Sequence, residues 1–184
     1  MRIFVQASAA ICFLSIVMSA AGQIVLLNED FESDGFPGRY TLSSHFNDLP
    51  NNNIFDVTTD ASHPYGGGTY TGYKGFGFFA AEDTDDAAGD QLDIQTMTFP
   101  PVSIVGHTGL QFDALFAAGA IPLTYDIDDF MSVEVQVDGG GFTEILRFES
   151  TNAVVGNFPM AEDTDFDLIG DGTQLGLGFQ RFTK

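Results

Sequence analysis

The chain has 184 residues, with 26 acidic side chains against six basic ones, a formal net charge of −20 and one cysteine. That balance argues against nucleic acid and anionic membrane surfaces as partners, because phosphate binding needs clustered Lys and Arg. Nineteen Phe and 21 Gly, without Trp, describe a packed, turn-rich domain rather than a disordered chain.

The first element in chain order reads as a signal peptide. Met1-Arg2 makes a positive start, and Ile3 to Met18 is an apolar run broken only by Gln6 and small Ser and Ala residues. Small residues from Ser19 to Gly22 suit signal peptidase, with cleavage before Gly22 or before Gln23. A buried or membrane helix is the competing reading of the run. Residues 1–22 are therefore expected to be removed, leaving one domain over 23–184 with no membrane insertion. The expected location is secreted, extracellular or at the cell surface. Cys12 leaves with the signal, so the mature domain has no disulfide and relies on its core, on bound ions, or on both. Arg2 leaves too, which takes the net charge to −21.

Beyond the signal no long helical period survives. Short strands separated by Gly, Asn, Asp and Pro clusters follow. "QIVLL" (23–27) is the first, then the acidic turn "NEDFESDGFPG", the weaker strands "RYTLSSHF" and "IFDVTT", and the polar loop "SHPYGGGTYTGYKG". "FGFFAA" is short and densely apolar, and "LDIQTMTF" alternates until Pro100-Pro101 stops it. Two strands are clearest. Leu110, Phe112, Ala114 and Phe116 share one face, and so do Met131, Val133, Val135 and Val137, with polar residues opposite. Asp138-Gly139-Gly140-Gly141 supplies a hairpin turn, and "FTEILRF" returns. "TQLGLGFQRFTK" closes the chain, with Leu175, Leu177 and Phe179 on one face. The expectation is an all-β fold: an antiparallel β-sandwich of jelly-roll type. A last strand ending at Lys184 without a partner predicts that closing strands are missing.

Acidic residues gather in four clusters, and calcium takes six to eight oxygen ligands from such loops. The first holds Asp30 and Glu32. The second holds Asp83, Asp85 and Asp86. The third holds Asp128 and Asp129. The fourth holds Asp163, Asp165, Asp167 and Asp171. The fourth alternates like the opening of an EF-hand loop, but Leu168 stands where the sharp turn needs Gly, and Gln174 stands where the bidentate Glu belongs. Solvated acidic loops are the bland alternative for each. The expected cofactor is structural Ca2+. The stretch AEDTD occurs at 81–85 and again at 161–165, each soon followed by Gly-Asp, and reads as two strand-entry loops alike in role.

No catalytic constellation stands out. His45, His63 and His107 lie in separate segments without metalloenzyme spacing, and no nucleophile elbow is present. Tyr40, Tyr65, Tyr70 and Tyr73 offer either sugar-stacking faces or caps for the ends of the sandwich.

"NEDFESDGFP", "GYKGFGFFAAEDTDD", "TMTFPPVSIVGHTGLQFDALFAAG" and "DDFMSVEVQVDGGGFTEILRF", in that order, resemble secreted bacterial jelly-roll modules. These are similar to the cleaved-adhesin and MAM-like domains of multidomain extracellular proteins. The resemblance implies a non-catalytic, calcium-stabilised module for adhesion or for binding an extracellular glycan or protein. It also implies that Asp30-Phe31-Glu32 helps to hold calcium, together with an acidic element on a last strand that this sequence lacks. The alternatives are an accessory or catalytic domain of a secreted polysaccharide hydrolase, which predicts two carboxylates facing across a cleft, and a passive spacer in a surface protein.

Overall fold

The computed structural model describes residues 1–5, 9–18, 24–33, 35–48, 53–62, 68–82, 84, 94–119, 125, 127–154 and 158–184. Among them are 13 strands and no helix: β1 (Arg2–Val5), β2 (Ala9–Met18), β3 (Val25–Glu29), β4 (Thr41–Leu42), β5 (Phe46–Asp48), β6 (Asn53–Thr58), β7 (Phe78–Glu82), β8 (Gln95–Thr98), β9 (Leu110–Ala118), β10 (Phe130–Gln136), β11 (Phe142–Ser150), β12 (Met160–Glu162) and β13 (Gln180–Thr183). They form two antiparallel sheets. One runs β12-β11-β10-β1-β8-β4; the other runs β13-β9-β2-β7-β6-β5, with β3 also paired to β2.

The two sheets share one core. Met131, Val133, Leu146 and Phe148 from the first meet Phe79, Phe112, Phe116 and Phe182 from the second. Aromatic rings lock the seam: Phe148 meets Phe182 edge-on at 4.8 Å and tilts against Phe116 at 5.1 Å. Such pairs add about 0.5–1.5 kcal/mol each beyond the area they bury. The alternation holds in the middle of β9 and β10, where Phe112, Ala114, Phe116, Met131 and Val133 turn inward. Leu110 and Val137, expected on the same faces, are exposed, and the opposite face of β9 is covered as well, with Leu115 and Ala117 in a second cluster.

The apolar density of "FGFFAA" has a physical cause. β7 is buried on both faces. Phe79 and Ala81 face the main core, while Phe78 and Ala80 join a second cluster with Ile54, Tyr70, Leu115 and Ala117. A strand covered on both sides has no solvent face on which polar residues could alternate. The β10–β11 hairpin turns at Asp138 and Gly139, whose φ values of 51° and 72° are both left-handed, as a type I′ turn demands; the Gly140 amide donates to the Val137 carbonyl at 2.9 Å.

The apolar run read as a signal peptide is laid into the middle of both sheets, as β1 and β2. Two features differ from expectation. Leu175 packs in the main core while Leu177 and Phe179 pack on the second cluster, so these three residues do not share a face. The continuous strand expected there is confined to β13, and isolated bridges at Gln174 and Gly178 precede it. Finally, both AEDTD copies begin at the end of a strand: Ala81-Glu82 closes β7, and Ala161-Glu162 closes β12. They are strand exits as much as strand entries.

Candidate metal centre

β12 leaves the sheet at Glu162, and the chain then curls over the end of β11. The curl is pinned to its neighbours by backbone bonds: Asp163 N–H to the Arg147 carbonyl (2.9 Å), Gly170 N–H to the Ser150 carbonyl (2.9 Å), and Asp171 N–H to the Glu162 carbonyl (3.0 Å). Gly170 is required by contact. A Cβ there would lie 2.6 Å from the Glu149 carbonyl oxygen and 2.7 Å from that of Ala161, both backbone atoms that cannot swing away.

Asp163 is buried and organises the loop from inside. Its Oδ1 accepts the amides of Phe166 (2.7 Å) and Asp167 (3.3 Å), and its Oδ2 accepts the amide of Leu168 (2.9 Å). A carboxylate has about four acceptor directions, so one lone pair is left over. Two residues adopt left-handed backbone to complete this wrap: Phe166 at φ 60° and Leu168 at φ 73°. The sharp turn that glycine normally supplies in an EF-hand-like loop is therefore made here by Leu168 itself.

The wrap brings Asp163, Asp165 and Asp167 together. One carboxylate oxygen of each lies within 4.8 Å of the others, with Asp163 buried and the other two exposed. Two oxygens on opposite sides of a calcium ion are separated by about 4.6–5.2 Å, twice the Ca–O distance. The donors are all hard oxygens, which suit Ca2+ rather than Zn2+. Asp171 stands beside them but is engaged locally, accepting the Thr164 amide at 2.9 Å and its hydroxyl at 2.8 Å. Those two bonds hold the Asp171 carboxyl below the usual range. Asp165 is pushed up, first by desolvation and then by the charges of Asp167, Asp171 and Asp163. Crowded carboxylates of this kind gain most from a cation.

Next to the loop stand three charged side chains outside the acidic clusters that the sequence singles out. Arg147 pairs with Glu149 on one side and with Glu144 on the other (3.0 Å), and its guanidinium lies 4.3 Å over the Phe130 ring. Glu149 is 2% exposed. Burial raises its pKa to about 7, with Arg147 pulling the other way and Asp163 and Glu144 adding to the rise. Arg147 and Glu149, two apart on β11, share a face by period two, and that signal is present in the sequence. Their contact with the loop is not, because it comes from residues 163–170, which bond back to the β11 backbone at Arg147 and Ser150.

The other predicted ligands are not drawn into a group of three among the described residues. Asp30 accepts the Glu32 amide (3.2 Å), and both Glu32 oxygens accept the Phe76 amide (2.8 and 3.0 Å). Between them Phe31 is wholly buried at φ 54°. The buried acid of this element is Glu29, held by two bonds from Arg39 at 2.7 and 2.9 Å and by the Phe31 amide. Asp128 and Asp129 lie at the turn before β10. Asp83, Asp85 and Asp86 fall outside the described residues, as do Tyr65 and His63. Tyr40 and Tyr70 are interior, at 1% and 2% exposure, so neither presents a stacking face. Tyr73 packs on Phe78 and Phe179.

A cavity of about 490 Å³ opens at the other end of the sandwich, with Leu27, Val102, Ile104, Leu110, Val135 and Ile145 in its wall. Asp138 is the one acid lining it. That wall does not offer the facing pair of carboxylates that glycoside hydrolysis uses.

Comparison with known proteins finds no matching family model, no matching characterised protein and no matching solved structure.

Proposed function

We propose that this chain is a secreted, non-catalytic module of jelly-roll type, stabilised by calcium and used for extracellular adhesion or for binding a protein or glycan. In this reading residues 1–22 are a signal peptide, and Ca2+ is a structural cofactor. The convergence of Asp163, Asp165 and Asp167 within 4.8 Å carries the reading. Two features support it. The loop takes a left-handed turn at Leu168, where calcium loops of this spacing usually place glycine. The fold has no disulfide to tie the loop down, since the chain's single cysteine has no partner cysteine in the sequence. Asp163, Asp165 and Asp167 would supply carboxylate oxygens, and Asp171 would contribute once it turns from Thr164 or through a water molecule.

The interior positions of Tyr40 and Tyr70 favour a protein ligand over a stacked sugar. Glu149, the carboxyl raised to about 7, is paired directly with Arg147. That pairing supports binding over hydrolysis.

Isothermal titration of the full chain with CaCl2 tests the calcium part. One site is expected, lost in the Asp165→Asn/Asp167→Asn variant, with Mg2+ a poor substitute because it demands a tighter octahedron. Heat of binding that the double variant leaves unchanged would move the ion elsewhere. No heat at all would remove calcium from the account.

A further inference from the structure

We infer that the places held by β1 and β2 form a strand-acceptor site for a partner polypeptide; the inference rests on residues 1–22 being a cleaved signal. The two strands sit inside the sheets. β1 pairs on one side with β10, from Arg2↔Glu134 to Val5↔Met131, and on the other with β8, from Arg2↔Thr98 to Val5↔Gln95. β2 pairs along β9 from Ala9↔Ala118 to Met18↔Leu110. Its other side meets β7 over Ala9–Ile11 and β3 over Leu14–Val17. Removing residues 1–22 therefore opens one slot in each sheet. It takes one of the two ladder partners from β7, β8, β9 and β10, and the one partner that β3 has among the described strands.

Such slots do not stay empty without cost. Each exposes rows of unpaired N–H and C=O groups flanked by core residues, and an open edge of that kind is a template for another strand. On either side stand Met97 and Val133 in one sheet, and Phe79 and Phe116 in the other, all buried. Strand addition is an established way of recognising extended peptide. Main-chain bonds supply affinity and the flanking pockets supply specificity.

The slots specify their occupant. It must run antiparallel to both neighbours in each sheet. Between β7 and the end of β9 in the larger sheet the neighbours are buried on both faces, Phe79 toward the main core and Ala80 toward the second cluster, whereas β3 is half exposed. Over that stretch the donor is therefore apolar on both faces, without alternation. Its leading end meets an acidic body: Arg2 lies opposite Glu134, with its guanidinium 4.1 Å over the Phe142 ring. A cation at that end is favoured by the −21 charge that remains when Arg2 is gone. A second copy of the mature chain is a poor donor. It carries the same negative charge, which opposes pairing of two bodies even though β3 loses its one described partner strand with β2. The site fits a different polypeptide that offers a basic-flanked extended segment, apolar on both faces where it meets β7.

The test starts from the full chain, made by cell-free synthesis so that no signal peptidase acts, with a specific protease site replacing residues 19–22. Amides of 95–98 and 131–134 should be protected from hydrogen exchange before the cut; exposed amides there would overturn the inference at once. After the cut, a fluorescent peptide of residues 1–18 is added in excess. Expected is exchange into the nicked protein at one peptide per body, with at least a tenfold weaker uptake of a peptide carrying Ile3→Pro and Ile16→Pro. A body of residues 23–184 that stays monomeric, keeps its Tm after the peptide leaves and takes up none would contradict the inference. So would preferential pairing of two bodies. The signal reading is checked separately by the intact mass of protein secreted from cells. Retention of Met1 there would sink the signal reading and this inference with it, whereas a cleaved chain whose body takes up no peptide would sink the inference alone.

Discussion

Leu168 shows most clearly what the acidic loop needs. An L-residue in left-handed conformation costs about 1–2 kcal/mol, and Leu168 holds φ 73° while its side chain is largely exposed. Burial therefore gives little back. The strain is set by Asp163, whose three accepted amides leave the chain no other path. Leu168→Gly should raise stability by about 0.5–1 kcal/mol after the extra backbone entropy of glycine is deducted. Differential scanning calorimetry should show Tm higher by roughly 1–4 °C, with calcium affinity kept or improved. A fall in Tm would mean that the Leu168 side chain itself anchors the loop. At this scale the sequence is half legible. The alternation of Asp163, Asp165 and Asp167 is visible in it, but Leu168 looks disqualifying, because a residue type reports a preference and not the conformation a buried carboxylate can impose.

At the scale of elements, β11 and the exit from β12 act as one unit, because the curl at 163–170 bonds to the β11 backbone on either side of Glu149. The folded-state pKa of Glu149, about 7, lies above its ordinary value of 4.5. The folded protein therefore binds this proton more tightly than the unfolded chain does, and the contribution is full below pH 4.5 and lost as pH rises toward 7. At about 1.36 kcal/mol per pKa unit, the loss is on the order of 3 kcal/mol. In chelator, Glu149→Gln should reduce the fall in Tm between pH 5 and pH 8 relative to the parent chain, since Gln mimics the neutral acid. Repulsion among the other carboxylates is common to both proteins and cancels in the difference. An unchanged pH profile would show that Arg147 keeps Glu149 ionised throughout. The strands themselves are legible where apolar and polar residues alternate, as in β10. Near β12 they are not: three residues are too few to show a period, and AEDTD looks like loop from its first letter.

At the scale of the whole molecule, the fold class is legible in the sequence and the strand order is not. Period two, turn residues and the lack of any helical stripe suffice for an all-β chain. The run Ile3–Met18 carries no alternation, and two physical situations produce that pattern. One is the apolar segment of a signal peptide; the other is a strand within a sheet covered on both faces, and β2 lies between β9 and the doubly buried β7. A strand-acceptor slot arises if both are true of one chain at successive times. The interior tyrosines escape a sequence reading for a related reason. Tyr40 and Tyr70 lie in segments rich in turn residues, yet such segments can fold back over a sheet and bury a ring, as Tyr70 does against Phe78 and Phe179.

With no disulfide to brace it, the domain depends on its core and on the ion proposed for the loop at 163–171. An ion that binds only the folded state adds stability of about 2.7 kcal/mol at a hundredfold excess over Kd, which for a chain of this length is a rise of roughly 5–10 °C in Tm. The decisive measurement is a pair of thermal melts of the full chain at pH 7.5, one in saturating CaCl2 and one in EGTA. The account predicts a Tm higher by that amount in calcium, with the difference abolished by Asp165→Asn/Asp167→Asn. Superimposable melts in calcium and EGTA would contradict it.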